Sequence, residues 1–330
     1  MKKSRLAAAL MSALFLLPIA SGCNENAEKH STRELFAMDT VMSLSAYGER
    51  CEEATLAAEE EIKRLDALLS TGSSDSETGR INSGETVTMS DDTASLFSRS
   101  VEIYEMTGGA YDMSLYPLTV LWGFCGDNPA VPDEESIKKT MLLCGSDKIK
   151  SDGSTLTLSE GQGIDFGGIA KGYIGDKMTE VLESKGVVSA VINLGGNVIC
   201  IGGKTDEDDF VIGVETPFSD RKEITGKINA RDKTLVTSGV YERRIEVDGK
   251  TYHHILDTKT GWPAETDLDA VTLTADKGHS GDIDALSTIC LIKGYEAASK
   301  LIEDTDGVEA VFILKDGTTE QTSGMEFEKV

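Results

Sequence analysis

An aspartate and a threonine four positions apart, Asp284 and Thr288, have side chains suited to binding a cation. They stand at the start of residues 284–292, which are predicted to be helical, so this spacing places both side-chain oxygens on one face. Carboxylate and hydroxyl oxygens suit a hard cation such as Mg²⁺, which takes further ligands from water and a substrate phosphate. Asp282 and Ser287 lie beside the pair. The alternative is that Asp282 or Asp284 only caps the helix.

Two of the four histidines are adjacent, His253 and His254, in the β-rich run YHHILDTKTG. Because neighbouring side chains on a strand point to opposite faces, we expect only one of them to face any given cleft. An imidazole titrates near neutral pH and can serve there as a general base. The alternative is a structural role for both.

Two glycine pairs mark turns in the middle of the chain. Gly167-Gly168 follows the short apolar run 164–166 and precedes a stretch with helical periodicity, and Gly195-Gly196 follows the β-rich run 187–193. Glycines at a strand-to-helix turn let backbone N–H groups approach a phosphate, and a helix N-terminus favours the anion. Two tight turns in an α/β or α+β core are the other interpretation.

The elements that must position these residues are predicted strands grouped in hairpins, together with amphipathic helices. Three Asp-Gly pairs, at 152–153, 248–249 and 316–317, are each flanked by runs suited to a hairpin. The predicted strands are 36–47, 187–193, 210–215, 269–275 and 308–315, and the predicted helices are 49–69, 91–106, 133–143, 169–185, 284–292 and 295–304. Residues 70–84 and 108–126 are predicted to be loops. This order favours an α+β fold with a largely antiparallel sheet, formed as a single domain by residues 35–330.

The N-terminus is predicted to be an export signal. Lys2, Lys3 and Arg5 precede an apolar stretch, 6–20, that is short for a membrane span, and Cys23 follows three small residues. This pattern resembles a bacterial lipoprotein signal over residues 1–22, which implies an extracytoplasmic protein anchored to the membrane by a lipid on Cys23. An ordinary signal peptide is the alternative. Residues 23–34 are predicted to be a flexible tether.

Composition limits the classes of ligand. A formal charge of −25 argues against nucleic acid, and it requires that a nucleotide site be compensated locally by a metal or by Lys and Arg. Five cysteines follow Cys23 and none forms a C-x-x-C motif, which argues against a zinc site or a thioredoxin-like site.

Several of these segments, taken in order, resemble the ApbE family of FAD:protein FMN transferases. The similarity covers residues 35–330 and rests on short motifs. They are Met38-Asp39-Thr40, GGAYDMSLYPLTVLWGF at 108–124, IDFGGIAKGY at 164–173, VINLGGN at 191–197, SGVYERR at 238–244, YHHILDTKTGWP at 252–263 and DALST at 284–288. The resemblance implies the single-domain, T-fold-like α+β fold of that family.

The resemblance also implies roles for particular residues. FAD would be bound by Met38, Gly72, Ala110, Tyr111, Asp112, Gly167, Tyr173 and Leu256. Mg²⁺ would be held by the main-chain oxygen of Ala170 with Asp284 and Thr288, and Ser287 would add at most a distant contact. His254 rather than His253 would be the catalytic base. The chain departs from the family pattern at Asp39, where glycine is usual, at Gly72, where some relatives carry an aromatic residue, and at Thr258, where proline is common.

The implied activity is Mg²⁺-dependent transfer of FMN from FAD to a Thr or Ser hydroxyl of an extracytoplasmic redox protein, with release of AMP. The implied partners are FAD and flavin-acceptor subunits of membrane electron-transfer complexes of the Nqr and Rnf type. Two alternatives remain at this point: a Mg²⁺-dependent FAD pyrophosphatase that gives FMN and AMP, and a flavin-binding lipoprotein without catalysis.

Overall fold

The computed structural model describes residues 29–126, 129–219 and 223–330. The predicted signal segment, Cys23 and the first part of the predicted tether lie outside the described residues. The rest of that tether was predicted wrongly, because a strand begins at His30 and pairs along its whole length with the next strand. None of the helices in the described ranges is long and apolar enough to cross a membrane.

The described residues form sixteen strands and eight α-helices. The strands are β1 (His30–Ala37), β2 (Thr40–Tyr47), β3 (Val87–Thr88), β4 (Lys150–Ser151), β5 (Thr155–Thr157), β6 (Ser189–Asn193), β7 (Asn197–Ile201), β8 (Phe210–Glu215), β9 (Ile224–Ala230), β10 (Lys233–Gly239), β11 (Arg244–Val247), β12 (Lys250–His253), β13 (Leu268–Asp276), β14 (Glu309–Leu314), β15 (Thr319–Gln321) and β16 (Glu328–Lys329). The helices are α1 (Cys51–Leu69), α2 (Glu77–Asn82), α3 (Asp91–Thr107), α4 (Tyr116–Trp122), α5 (Glu134–Met141), α6 (Ala170–Ser184), α7 (Ser280–Lys293) and α8 (Tyr295–Glu303).

An eight-stranded antiparallel sheet organises the fold, in the order β1-β2-β6-β7-β10-β13-β14-β15. Because side chains alternate along a strand, Ile199 on β7 packs with α1 and α6, whereas its neighbour Cys200 faces the other side. That other side is covered by the small sheet β16-β9-β8, whose Phe210 and Ile228 share its core. The α+β prediction with a largely antiparallel sheet is confirmed.

Turn chemistry explains which hairpins the sequence predicts. The three Asp-Gly pairs lie between β4 and β5, β11 and β12, and β14 and β15, as expected. The predicted single strand 36–47 was wrong, because β1 and β2 form a hairpin whose two-residue turn is Met38-Asp39. Both turn residues have positive φ, 49° and 59°. Asp39 tolerates this conformation at a position where glycine is favoured.

Two predicted loops contain short helices. Within 70–84, the Ser76 hydroxyl accepts the Gly79 N–H and begins α2. Within 108–126, a 3₁₀ turn, Met113–Leu115, leads into α4, which ends at Gly123 in the left-handed conformation. Both segments are short and lack a long apolar period, so no helix was expected from the sequence.

Candidate active site

One cleft of about 650 Å³ gathers eleven of the twelve predicted site residues. Its lining comes from distant parts of the chain: the β1–β2 turn, the segment after α1, the segment 110–116, the start of α6, residues 254–258 and α7. The predicted residues in the lining are Met38, Gly72, Ala110, Tyr111, Asp112, Gly167, Ala170, His254, Leu256, Asp284 and Thr288. The sheet and the helices on it therefore bring together residues separated by up to 250 positions.

Tyr173 is the predicted FAD ligand that the structure places elsewhere. It is not part of the cleft lining. Its hydroxyl donates to Asp92 at 2.6 Å, and Asp92 is also paired with Arg64 at 2.7 Å. Tyr173 lies on α6, the helix that begins at the cleft. Its position is about one turn from the start of that helix, and its side chain points toward α3. Its hydroxyl therefore connects α6 with α3.

Helices α6 and α7 approach closely at Gly172. A Cβ on Gly172 would lie 2.2 Å from the carbonyl oxygen of Ser280, so only glycine fits at this position. At this contact the Gly172 N–H donates to Oδ2 of Asp284 at 2.8 Å. Asp284 is in the second turn of α7, is 3% exposed and is not a helix cap. The capping interpretation is therefore wrong for Asp284.

The start of α7 is capped from α6 by a residue that the sequence did not single out. The carboxylate of Asp176 accepts the N–H groups of Ser280 and Gly281, both at 2.9 Å. Burial raises the pKa of Asp176 to about 6. Asp282, the other candidate cap, instead pairs with Arg99 at 2.7 Å. The sequence could have indicated Asp176 by its spacing, because it follows Gly172 by one helical turn and therefore lies on the same face of α6.

The oxygen donors in the cleft fit a hard divalent cation. Burial raises the pKa of Asp284, while the Lys171 ammonium and the Gly172 N–H act in the opposite direction. A cation beside this carboxylate would stabilise its charged form. Thr288 belongs to the same lining and faces the turn before α6, because a Cβ on Gly168 would be 3.9 Å from its hydroxyl oxygen. No group of three or more His, Cys, Asp or Glu side chains able to hold a metal occurs in the described ranges, so such a site would depend on neutral oxygens around one carboxylate.

His254, the residue after β12, lines the cleft, whereas His253 at the end of β12 is buried outside the lining. His253 is buried, and its Nε2 lies 3.1 Å from the carbonyl oxygen of Ala264. His254 is half-buried and its Nδ1 lies 3.2 Å from the carbonyl oxygen of Arg243. Because a carbonyl can only accept, Nδ1 carries the hydrogen in this contact, and the lone pair of the neutral ring is on Nε2. Burial, aided by the Arg243 guanidinium, lowers the pKa of His254 to about 4.

Positive charge in the cleft is local, as the acidic composition demands. Lys171 and Arg243 both belong to the lining. Helix α6 also starts there, and its N-cap residue Ile169 makes no side-chain cap. The Ala170 and Gly172 N–H groups already donate to Phe166 and Asp284, so the positive end of the helix dipole, together with Lys171 and Arg243, is what favours an anion at this point. Arg243 was not among the predicted site residues, although the motif SGVYERR contained it.

A buried aromatic cluster supports the segment that carries His254 and Leu256. The Trp122 indole N–H donates to the carbonyl of Gly261 at 3.0 Å, and its ring meets Trp262 edge-on at 5.4 Å. Leu256 packs in the same cluster. The aromatic residues of the motif 108–124 thus hold the loop 254–263 in place. Tyr111 contributes differently, because its ring packs against the backbone of Gly168.

Comparison with known proteins agrees with this geometry. A model of the ApbE family matches residues 38–312. Two relatives that are named FAD:protein FMN transferase are similar to this chain. The one from Treponema pallidum is 31% identical, and the match covers 92% of this chain and 90% of that protein. The one from Klebsiella pneumoniae is 32% identical, and the match covers 77% of this chain and 80% of that protein. The ApbE protein of Thermotoga maritima has a similar structure, with a TM-score of 0.82 and 30% identity, covering 89% of this chain and 97% of that one. The flavinyl transferase ApbE of Pseudomonas stutzeri has a TM-score of 0.78 and 30% identity, with 90% and 95% covered.

Proposed function

The chain belongs to the ApbE family, and on this basis we propose that it transfers FMN from FAD to a Thr or Ser hydroxyl of an extracytoplasmic redox protein, releasing AMP. The observation that carries the proposal is that one cleft joins the imidazole of His254 to the oxygen donors Asp284 and Thr288. The relatives from Treponema and Klebsiella carry the name of this activity.

The cleft offers a place for the diphosphate of FAD. Lys171, Arg243 and the positive end of the α6 dipole supply positive potential against an overall charge of −25. The Ala170 carbonyl, Asp284 and Thr288 would hold Mg²⁺, which when bound stabilises the negative charge that develops on the phosphates. The Gly172 N–H keeps the Asp284 carboxylate oriented for this role.

His254 is placed to receive the proton of the attacking hydroxyl. With Nδ1 donating to Arg243, Nε2 is the free acceptor. The acceptor oxygen forms a bond to the phosphorus on the FMN side, the bond from that phosphorus to the bridging oxygen breaks, and AMP leaves with that oxygen. The hydroxyl proton moves to Nε2. Burial is the main cause of the lowered pKa of His254 and the Arg243 guanidinium adds to it, so an anionic diphosphate beside Arg243 would offset the second of these effects.

The N-terminal sequence supports a setting for the reaction outside the cytoplasm. A lipid on Cys23 would hold the enzyme at the membrane outside the cytoplasm. Flavin-acceptor subunits of Nqr-type and Rnf-type complexes would meet it there, since they are membrane-bound as well. This part of the proposal rests on the resemblance and on residues 1–23.

The experiment uses the purified protein with FAD, Mg²⁺ and an acceptor domain that contains a Thr. Flavin fluorescence that stays with the denatured acceptor, together with AMP, is the expected result. AMP formed equally without acceptor would indicate an FAD pyrophosphatase instead, and retained FAD without product would indicate a flavin-binding protein. His254→Ala should abolish labelling while FAD binding persists, and full labelling by this variant would remove His254 from the mechanism.

A further inference from the structure

Strand β1 is an edge strand that leads into the active-site cleft. It stands at one end of the eight-stranded sheet, and among the described residues β2 is its only strand partner. The two-residue turn makes Ala37 and Thr40 the first hydrogen-bonded pair of the hairpin. Hydrogen-bonded pairs then recur at every second residue. The N–H and C=O groups of Thr32, Glu34 and Phe36 therefore point away from β2.

The same residues present an exposed face. Along β1 the side chains of His30, Thr32, Glu34 and Phe36 are exposed, and those between them are more buried. At the cleft end, Phe36 is 71% exposed and stands directly opposite Val41, which is 42% exposed. We call Phe36 and Val41 the hairpin lip. Exposed apolar side chains beside unpaired backbone groups form a template for an added strand.

The location of the β1 edge beside the cleft indicates which kind of polypeptide would bind to it. Phe36 and Ala37 line the same cleft as His254, so a segment paired with β1 continues into the cleft at the end where the reaction occurs. The chain's own N-terminal segment enters at the opposite end of β1, where the Lys29 carbonyl accepts the N–H of Gly48. A macromolecular hydroxyl donor, by contrast, must bring a stretch of polypeptide to this rim.

We propose that the acceptor polypeptide docks by adding an extended segment to the outer edge of β1, with an apolar side chain on the hairpin lip and its Thr or Ser in the cleft. This inference rests on the proposed function. Backbone pairing would account for affinity, and the lip would select an apolar residue a short distance from the hydroxyl residue.

Proline at Glu34 tests the backbone contact, because it removes one outward N–H while the bonds to β2 remain. Edge strands accept proline where the N–H faces solvent. For Glu34→Pro, we expect the KM for the acceptor to rise about tenfold, as the loss of about 1.4 kcal/mol of binding requires. The matched variant Glu34→Ala should leave this KM unchanged. Both variants should bind FAD as the wild type does.

The hairpin lip is tested by the double variant Phe36→Ser with Val41→Thr. The control is Met106→Ser, which changes a similarly exposed apolar residue at the end of α3. The lip variant should raise the acceptor KM with kcat unchanged, and the Met106 variant should not. Equal acceptor KM values for Glu34→Pro, the lip variant and the wild type would overturn the proposal. If the wild-type protein labels no acceptor at all, the proposed function itself fails, and this outcome is separate from equal KM values.

Discussion

The contact between α6 and α7 at Gly172 gives the most demanding prediction. In Gly172→Ala the new methyl would lie 2.2 Å from the Ser280 oxygen and 2.7 Å from the Cα of Gly281. Both neighbours are backbone atoms, so the helices must separate by about 1 Å to reach ordinary contact distance. The 2.8 Å bond from the Gly172 N–H to Asp284 cannot survive that movement.

The expected loss of unfolding free energy in Gly172→Ala has three contributions. Overpacking costs about 1–3 kcal/mol and the lost bond to a carboxylate about 1.5–3 kcal/mol, while replacing glycine in a helix returns about 1 kcal/mol. We expect the unfolding free energy to fall by about 1.5–5 kcal/mol. A 1 Å displacement of α7, which carries Asp284, should lower kcat about 100-fold. Urea denaturation measures the first effect, and a Mg²⁺ titration of AMP release measures the second.

Gly175→Ala is the matched control, one turn along the same helix. Its methyl would meet the terminal carbon of the Ile199 side chain at 2.6 Å, and that flexible group can move away. We expect a smaller loss of stability, within about 1.5 kcal/mol, and nearly normal turnover. If Gly172→Ala keeps wild-type stability and Mg²⁺ dependence, the close approach of α6 and α7 does not position Asp284.

Three further predictions concern single residues in or near the cleft. Because the pKa of His254 is lowered to about 4, its ring should stay neutral above about pH 5, which an NMR titration of that ring measures; a midpoint at about pH 6.5 would contradict this burial. Asp284→Ala should abolish Mg²⁺ dependence and turnover together, and turnover that persists with a chelator present would dismiss the site. Tyr173→Phe loses the bond to Asp92 and should cost about 1 kcal/mol of stability without changing FAD affinity, whereas a large rise in the FAD dissociation constant would restore Tyr173 to the binding site.

The parts of the fold that could be predicted are those in which local signals and tertiary structure agree. Helix α1 follows its apolar stripe, with Ala54, Ala58, Ile62 and Leu65 buried. The three Asp-Gly hairpins follow from backbone conformation alone. The Met38-Asp39 turn was missed because no glycine marks it, and a positive φ at methionine has no local signal.

The cleft was predicted through the resemblance and much less through the residues themselves. Spacing alone placed Asp284 and Thr288 on one face, but it could not distinguish a metal ligand from a cap. That distinction depends on Asp176, which caps α7 from another helix. The place of Arg243 in the lining and the bond of Tyr173 to Asp92 likewise depend on contacts between elements far apart in sequence, which no local pattern encodes.

The most direct test of the central claim follows the phosphorus of the substrate. FAD carrying ³²P at the FMN-side phosphate is incubated with Mg²⁺, an acceptor domain and either the wild-type protein or His254→Ala. We expect the label to appear in the denatured acceptor in equal amount to unlabelled AMP with the wild type, and to remain in FAD with the variant. Label recovered as free FMN, or in the acceptor with both proteins, would contradict transfer by this cleft.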